Sequence, residues 1–191
     1  MAAAGLRGTV ERARSVEEAV ALLVAATPAL VAVDCPCTPA VDGELSRPDE
    51  RALARAVCGI RYTPDAATVH GARPEGDDFY GWIKHGLALY AALEAAGLAA
   101  VECFPTASWT RWGGPRAGRG RGAWSGQVLA SLAVPGVPQR LNQDERDAVG
   151  AALTARAVAL GDAELIGRIA VPHPTFRALS QPPAARRPDL S

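Results

Sequence analysis

A chain of 191 residues with 20 basic and 20 acidic side chains carries no net charge, so its bulk electrostatics draw it to neither a polyanion nor a membrane surface. With 49% hydrophobic residues it has enough apolar material for the core of one ordinary domain, expected over residues 1–179. No stretch approaches the roughly 20 apolar residues of a membrane span, and MAAAGLRGTVERARS lacks the apolar run of a secretion signal.

The four cysteines, Cys35, Cys37, Cys58 and Cys103, do not make a disulfide framework, and a reduced, cytoplasmic protein is expected. Lys84 is the only lysine, and the arginine and alanine excess reads as GC-rich coding.

Ser15 with Glu18 three residues on reads as a capping box, and Val16, Val20, Leu23 and Val24 recur at helical spacing until Pro28. The apolar, β-branched run 29–34 (ALVAVD) predicts a strand buried on both faces. A loop follows, then a helix from Pro48 to about Val57 with Leu53 and Val57 on one side. Residues 59–77 read as irregular.

The clearest helix spans 78–96, with Phe79, Trp82, Ile83, Leu87, Tyr90 and Leu93 as its apolar stripe and Gly97 at its end. LAAVECF (98–104) predicts a second buried strand, stopped by Pro105. Residues 111–122 (RWGGPRAGRGRG) read as a glycine- and arginine-rich loop, followed by helices over about 123–132 and 143–160. A short strand at 169–172 precedes a tail, 180–191, whose composition predicts disorder. Helix–strand alternation with short links predicts an α/β fold, a mixed sheet flanked by helices.

Four acids stand where chemistry is expected. Asp34 closes the first core strand, and Glu102 lies in the second. Asp144 and Asp147 are three apart on one helix and share a face. Ligands of open α/β sheets gather at the carboxyl ends of strands, and converging carboxylates repel until a divalent cation such as Mg²⁺ or Mn²⁺ joins them. Two such ions can activate water against a phosphodiester. The plainer alternative is that Asp34 caps a turn and Asp144 favours a helix dipole. Glu102 resists that reading, because a lone carboxylate in an apolar strand is costly.

Arg111, Arg116, Arg119 and Arg121, flanked by Trp112 and Trp124, form a second candidate that could hold phosphates and stack bases; solvated surface arginines are the alternative. No GxxxxGK[ST] pattern is present, the cysteines lack zinc-ribbon spacing, and His70, His85 and His173 have no partner at a recognised spacing.

The order VAVDCPCTPA, RPDERALARAVCGIRYTP, LYAALEAAG, VECFPTASW, RLNQDERDAVGAALTAR and IAVP resembles the domain-of-unknown-function family numbered 429, described as predicted nucleases of RNase H-like fold, over about Val31 to Pro172. The resemblance implies a metal-dependent hydrolase acting on nucleic acid or nucleotides, with Asp34, Glu102 and Asp147 as metal ligands and Asp144 beside them. Arg47 and Arg51 fall in the arginine-bearing segment after the first motif and are implied substrate contacts. Relatives open with a strand carrying a GIDG-like motif, which this sequence lacks; residues 6–12 stand where the third strand of that opening hairpin is expected. The implied consequence is an N-terminally shortened sheet that lacks one metal ligand and whose bare edge favours a homodimer. A catalytically inactive binding or scaffold protein is the competing expectation, and a small-molecule enzyme of the same fold is a third.

Overall fold

The structure, a computed structural model, describes residues 8–71 and 78–176; the tail 180–191 lies outside the described residues. Helix α1 (Val16–Ala26) begins as its sequence predicts, with the Ser15 hydroxyl accepting from the Glu18 N–H at 3.2 Å and the Glu18 carboxylate accepting from the Arg14 N–H at 2.7 Å. It leads to β1 (Val31–Val33), α2 (Pro48–Ala56), α3 (Ala66–His70), α4 (Gly81–Ala95) and β2 (Ala100–Cys103). Then come α5 (Pro105–Gly113), α6 (Arg121–Leu132), α7 (Gln143–Ala159), β3 (Ala163–Ile166) and β4 (Ile169–Pro172).

Several expectations are corrected here. Within the supposedly irregular 59–77, the Asp65 carboxylate accepts the Thr68 N–H at 2.8 Å and starts α3. Pro105 stops the strand but also occupies the first turn of α5, where its missing N–H costs nothing. The expected loop 111–122 therefore shrinks to 114–120, with Arg111 on α5 and Arg121 on α6. The described part of 6–12 is not a strand: the Gly8 N–H donates to the Pro135 carbonyl at 2.8 Å, and Arg12 pairs with Glu145. Strand β4 stands where expected, but its hairpin partner β3 is a finding of the structure, turned at Gly167 with a φ of 62°.

The four strands form one mixed sheet in the order β1-β2-β4-β3, with the first three parallel and β3 antiparallel. Its register sets Val33 beside Glu102 and Glu102 beside Ile169. Because side chains alternate along a strand, Val31, Val33, Glu102, Ile169 and Val171 share one face, and Ala32, Val101, Cys103 and Ala170 share the other. On the first face, α1 and α4 cover Val31 and Val33, while Leu53 of α2 covers Ile169 and Val171. Helix α7 crosses the second face, against β1, β2 and β4. A third apolar cluster joins α5, α6 and α7 through Trp109, Trp124, Val149, Leu153 and Phe176. No helix among the described residues is long and apolar enough to cross a membrane.

Gly150, inside α7, faces Trp109 so closely that a Cβ there would lie 2.7 Å from the indole ring. Glycine to alanine in a helix interior ordinarily gains about 0.5–1 kcal/mol. Overpacking a filled core loses about 1–3 kcal/mol, the larger effect. Gly150→Ala is therefore expected to lower stability, read as a smaller urea midpoint with an unchanged m-value; a rise in midpoint would contradict the close packing.

Candidate functional site

Helix α7 is held at its start by a reciprocal cap. Asn142 Oδ1 accepts from the Glu145 N–H at 2.9 Å, and the Glu145 carboxylate accepts from the Asn142 N–H at 2.8 Å. That leaves Asp144 and Asp147 uncommitted to capping. Both line a cavity of about 1120 Å³, together with Asp34 at the carboxyl end of β1. The structure thus brings three of the four predicted acids to one pocket, on the α7 face of the sheet.

Asp147 is buried and fully engaged. Its Oδ1 accepts from Trp109 Nε1 and Gln143 Nε2, each at 3.0 Å, and its Oδ2 accepts from Arg121 Nη2 at 2.8 Å and again from Gln143 at 3.0 Å. Asp34 and Asp144 accept no hydrogen bond from a described side chain. Asp34 opens to solvent through the pocket, but protein packed around its other sides removes much of its hydration. That loss, and next the Asp147 carboxylate, push its carboxyl from the ordinary 3.8 up to about 7, against the opposing pull of Arg121.

Glu102 is placed differently. The strand register turns it to the far face, where Arg47 Nη1 donates to Oε2 at 2.7 Å and Arg47 Nη2 donates to Oε1. The Cys37 N–H adds a bond at 2.9 Å. The guanidinium also donates from Nε to Glu50 Oε1 at 3.1 Å, and Glu50 Oε2 accepts the Arg47 and Thr63 N–H groups at 3.0 and 2.9 Å. All three side chains are buried. Arg47, implied as a substrate contact, is an internal counter-ion here.

The arginines expected to cradle phosphate are dispersed. Arg111 pairs with Glu164, and Arg121 with Asp147. Arg119 donates to the carbonyls of Arg116 and Pro115 at 2.9 and 2.8 Å, tying the loop to itself, and Arg51 donates to Ser46. Thiol chemistry is disfavoured as well. Burial pushes the Cys35 thiol up to about 12 and raises those of Cys37, Cys58 and Cys103, so none of the four is activated as a thiolate.

Among the described residues no group of three or more His, Cys, Asp and Glu side chains is arranged to hold a metal ion. Sequence reasoning passed over Gln143, Trp109 and Glu50. Gln143 stands four residues before Asp147 on one helix, a spacing that signals contact; Trp109 gave no such signal. No family profile, curated protein or solved structure matches the chain.

Two predictions follow from this geometry. In the folded chain Asp34 holds its proton up to about pH 7, whereas unfolded it releases it near the ordinary value. The folded state therefore binds more protons between these limits, and stability is expected to fall as pH rises through that window. Asp34→Asn should flatten the fall, measured as melting temperature against pH; an unchanged slope would count against a perturbed Asp34. On the other face, Glu102→Leu leaves Arg47 with Glu50 alone, an expected loss of about 3 kcal/mol. Adding both Arg47→Met and Glu50→Gln, which removes the remaining buried charges, should restore most of it in chemical denaturation, and equal losses in the single and triple variants would contradict the coupling.

Proposed function

We propose that this chain is a binding protein built on an RNase H-like α/β plan, and that its acidic pocket receives a cationic group on an otherwise apolar ligand. Three parallel strands, with Asp34 directly after the first of them, support the RNase H-like plan. The composition of the pocket carries the functional reading. Its walls are mostly alanine, leucine and valine, its acids, Asp34, Asp144 and Asp147, are gathered at one end, and Arg156 stands about three turns along α7 toward the other. Arg121, partly exposed, already sits on Asp147 as an internal cation and marks the charge the site prefers.

The divalent-metal reading was tested on the donor set. A Mg²⁺ or Mn²⁺ site needs several anionic oxygens. Here Glu102 is taken by Arg47, and both oxygens of Asp147 are taken by Trp109, Gln143 and Arg121. Two uncommitted carboxylates remain, Asp34 and Asp144, and they do not fit such an ion. The resemblance to predicted nucleases keeps metal-dependent phosphodiester hydrolysis as a second reading, and one observation favours it. After loss of hydration, the Asp147 carboxylate is what raises Asp34 most, and that repulsion is one a cation relieves.

Calorimetric titration separates the two. Octylamine is expected to bind and octanoate not to, with tighter octylamine binding at pH 8 than at pH 6 because Asp34 ionises near 7. Asp34→Asn should remove both the binding and its pH dependence. Mn²⁺ binding that disappears in Asp34→Asn, accompanied by Mn²⁺-dependent cleavage of DNA or RNA, would instead establish the nuclease reading. Equal affinity for octylamine and octanoate would overturn the proposed charge preference.

A further inference from the structure

The acidic pocket is not a simple hole. It runs along one edge of the sheet, where residues 28–34 line it. Among the described residues strand β1 pairs only with β2 and ends the strand order. The Val31 N–H donates to the Ala99 carbonyl at 2.9 Å, so Val31 points its backbone groups inward. In a parallel ladder the next residue points its groups the other way, so Ala32 turns its N–H and C=O outward into the cavity.

Helices overhang this edge on both faces. Leu23 of α1 and Leu89 of α4 wall one side, and Ala148, Ala151, Ala152 and Ala155 of α7 wall the other. The alanines leave room beneath α7 for side chains. Asp144 and Arg156 mark two points of the α7 wall that lie about 18 Å apart at 1.5 Å per helical residue. A strand of five or six residues spans about 17–20 Å. The trough therefore has an open backbone edge, apolar ground above and below it, and the length of one ordinary strand.

We propose that the ligand of this pocket is an extended peptide from another protein, added as a fifth strand against β1, with a lysine or arginine directed at Asp34. This rests on the binding reading given above and names its ligand class. The charge along the trough selects that occupant: the middle is neutral alanine and leucine, Arg156 stands on the α7 wall toward the start of β1, and Asp34, Asp144 and Asp147 crowd the end where β1 finishes. A peptide with an apolar body and one cationic end matches that pattern. Backbone hydrogen bonds to Ala32 supply affinity, as in other strand additions, and the Asp34 end supplies direction.

The test uses the full chain and a fluorescein-labelled, amidated hexapeptide of alternating valine and threonine that begins with lysine, read by fluorescence anisotropy. Binding is expected. It should weaken about tenfold or more when the central amide is N-methylated, removing a ladder hydrogen bond. It should weaken similarly when glutamate replaces the lysine, and also in Ala152→Trp, which fills the trough from an exposed position on α7. A melting temperature for that variant close to the parent's establishes that the trough, and not the fold, was lost. If octylamine binds through Asp34 but the peptide does not bind, or binds equally when N-methylated, the strand proposal falls and the binding reading stands. If neither ligand binds, both fall. Light scattering that finds a dimer, and a monomer in Ala152→Trp, would assign the edge to a second copy and overturn the proposal.

Discussion

The arrangement of this protein depends on one buried guanidinium. Arg47 sits between Glu102 of β2 and Glu50 of α2, and the same carboxylates take the N–H groups of Cys37, Arg47 and Thr63. One network thus ties a central strand, a helix start and two loops. Charges in such a place are costly, and they persist because every guanidinium nitrogen and every carboxylate oxygen of the triad has a partner. The consequence reaches Asp34. The segment that leaves β1 passes through Cys35 and Cys37 before it is fastened to Glu102, so the strand end that carries Asp34 is anchored from the opposite side of the sheet.

The two faces then divide the acids by electrostatic role. On the far face two carboxylates share Arg47 and three backbone N–H donors. On the α7 face three carboxylates share a pocket with Arg156 on its wall and Arg121 on Asp147, and loss of hydration together with the Asp147 charge keeps the proton on Asp34. Like charges in one pocket cannot all ionise cheaply, so a proton, an arginine or a ligand cation must enter. The pocket is therefore selective by what it lacks. Trp109 joins this balance to the core: its indole N–H holds Asp147 while its ring packs against Gly150 of the same helix.

Much of this was legible in the sequence, and the losses have definite causes. The capping of α1 at Ser15, the core strands around Val31–Val33 and Ala100–Cys103, the long α4 and α7, and β4 all follow from local periodicity and turn chemistry. Helix α5 was hidden because Pro105 is equally a strand stop and a helix start, and the glycines beyond Gly113 spread a loop reading back over Arg111. The convergence of Asp34, Asp144 and Asp147 was legible because a strand end and a helix face fix it. The position of Glu102 was not. It depends on a register that only the folded sheet supplies, since shifting a strand by one residue reverses which face its side chains meet. Arg47 gave no signal of burial, because an arginine beside Ser46 and Pro48 reads as surface until its two glutamates are located in space.

The edge of β1 and the acids at its end belong together. An uncovered parallel edge is a hazard, and proteins blunt it with charge, with proline or with an overhang. Here Pro28 and Asp34 bracket the strand, and helices project past it on both faces. These devices guard the edge while the backbone of Ala32 stays open to the trough. Asp34 then serves twice, as a deterrent to apolar aggregation and as the charge that orients what does enter. Because its proton leaves near neutral pH, the edge is guarded most weakly when Asp34 is neutral, and it is most selective for a cation when Asp34 is ionised. Protection and recognition on this edge are therefore two consequences of a single titration.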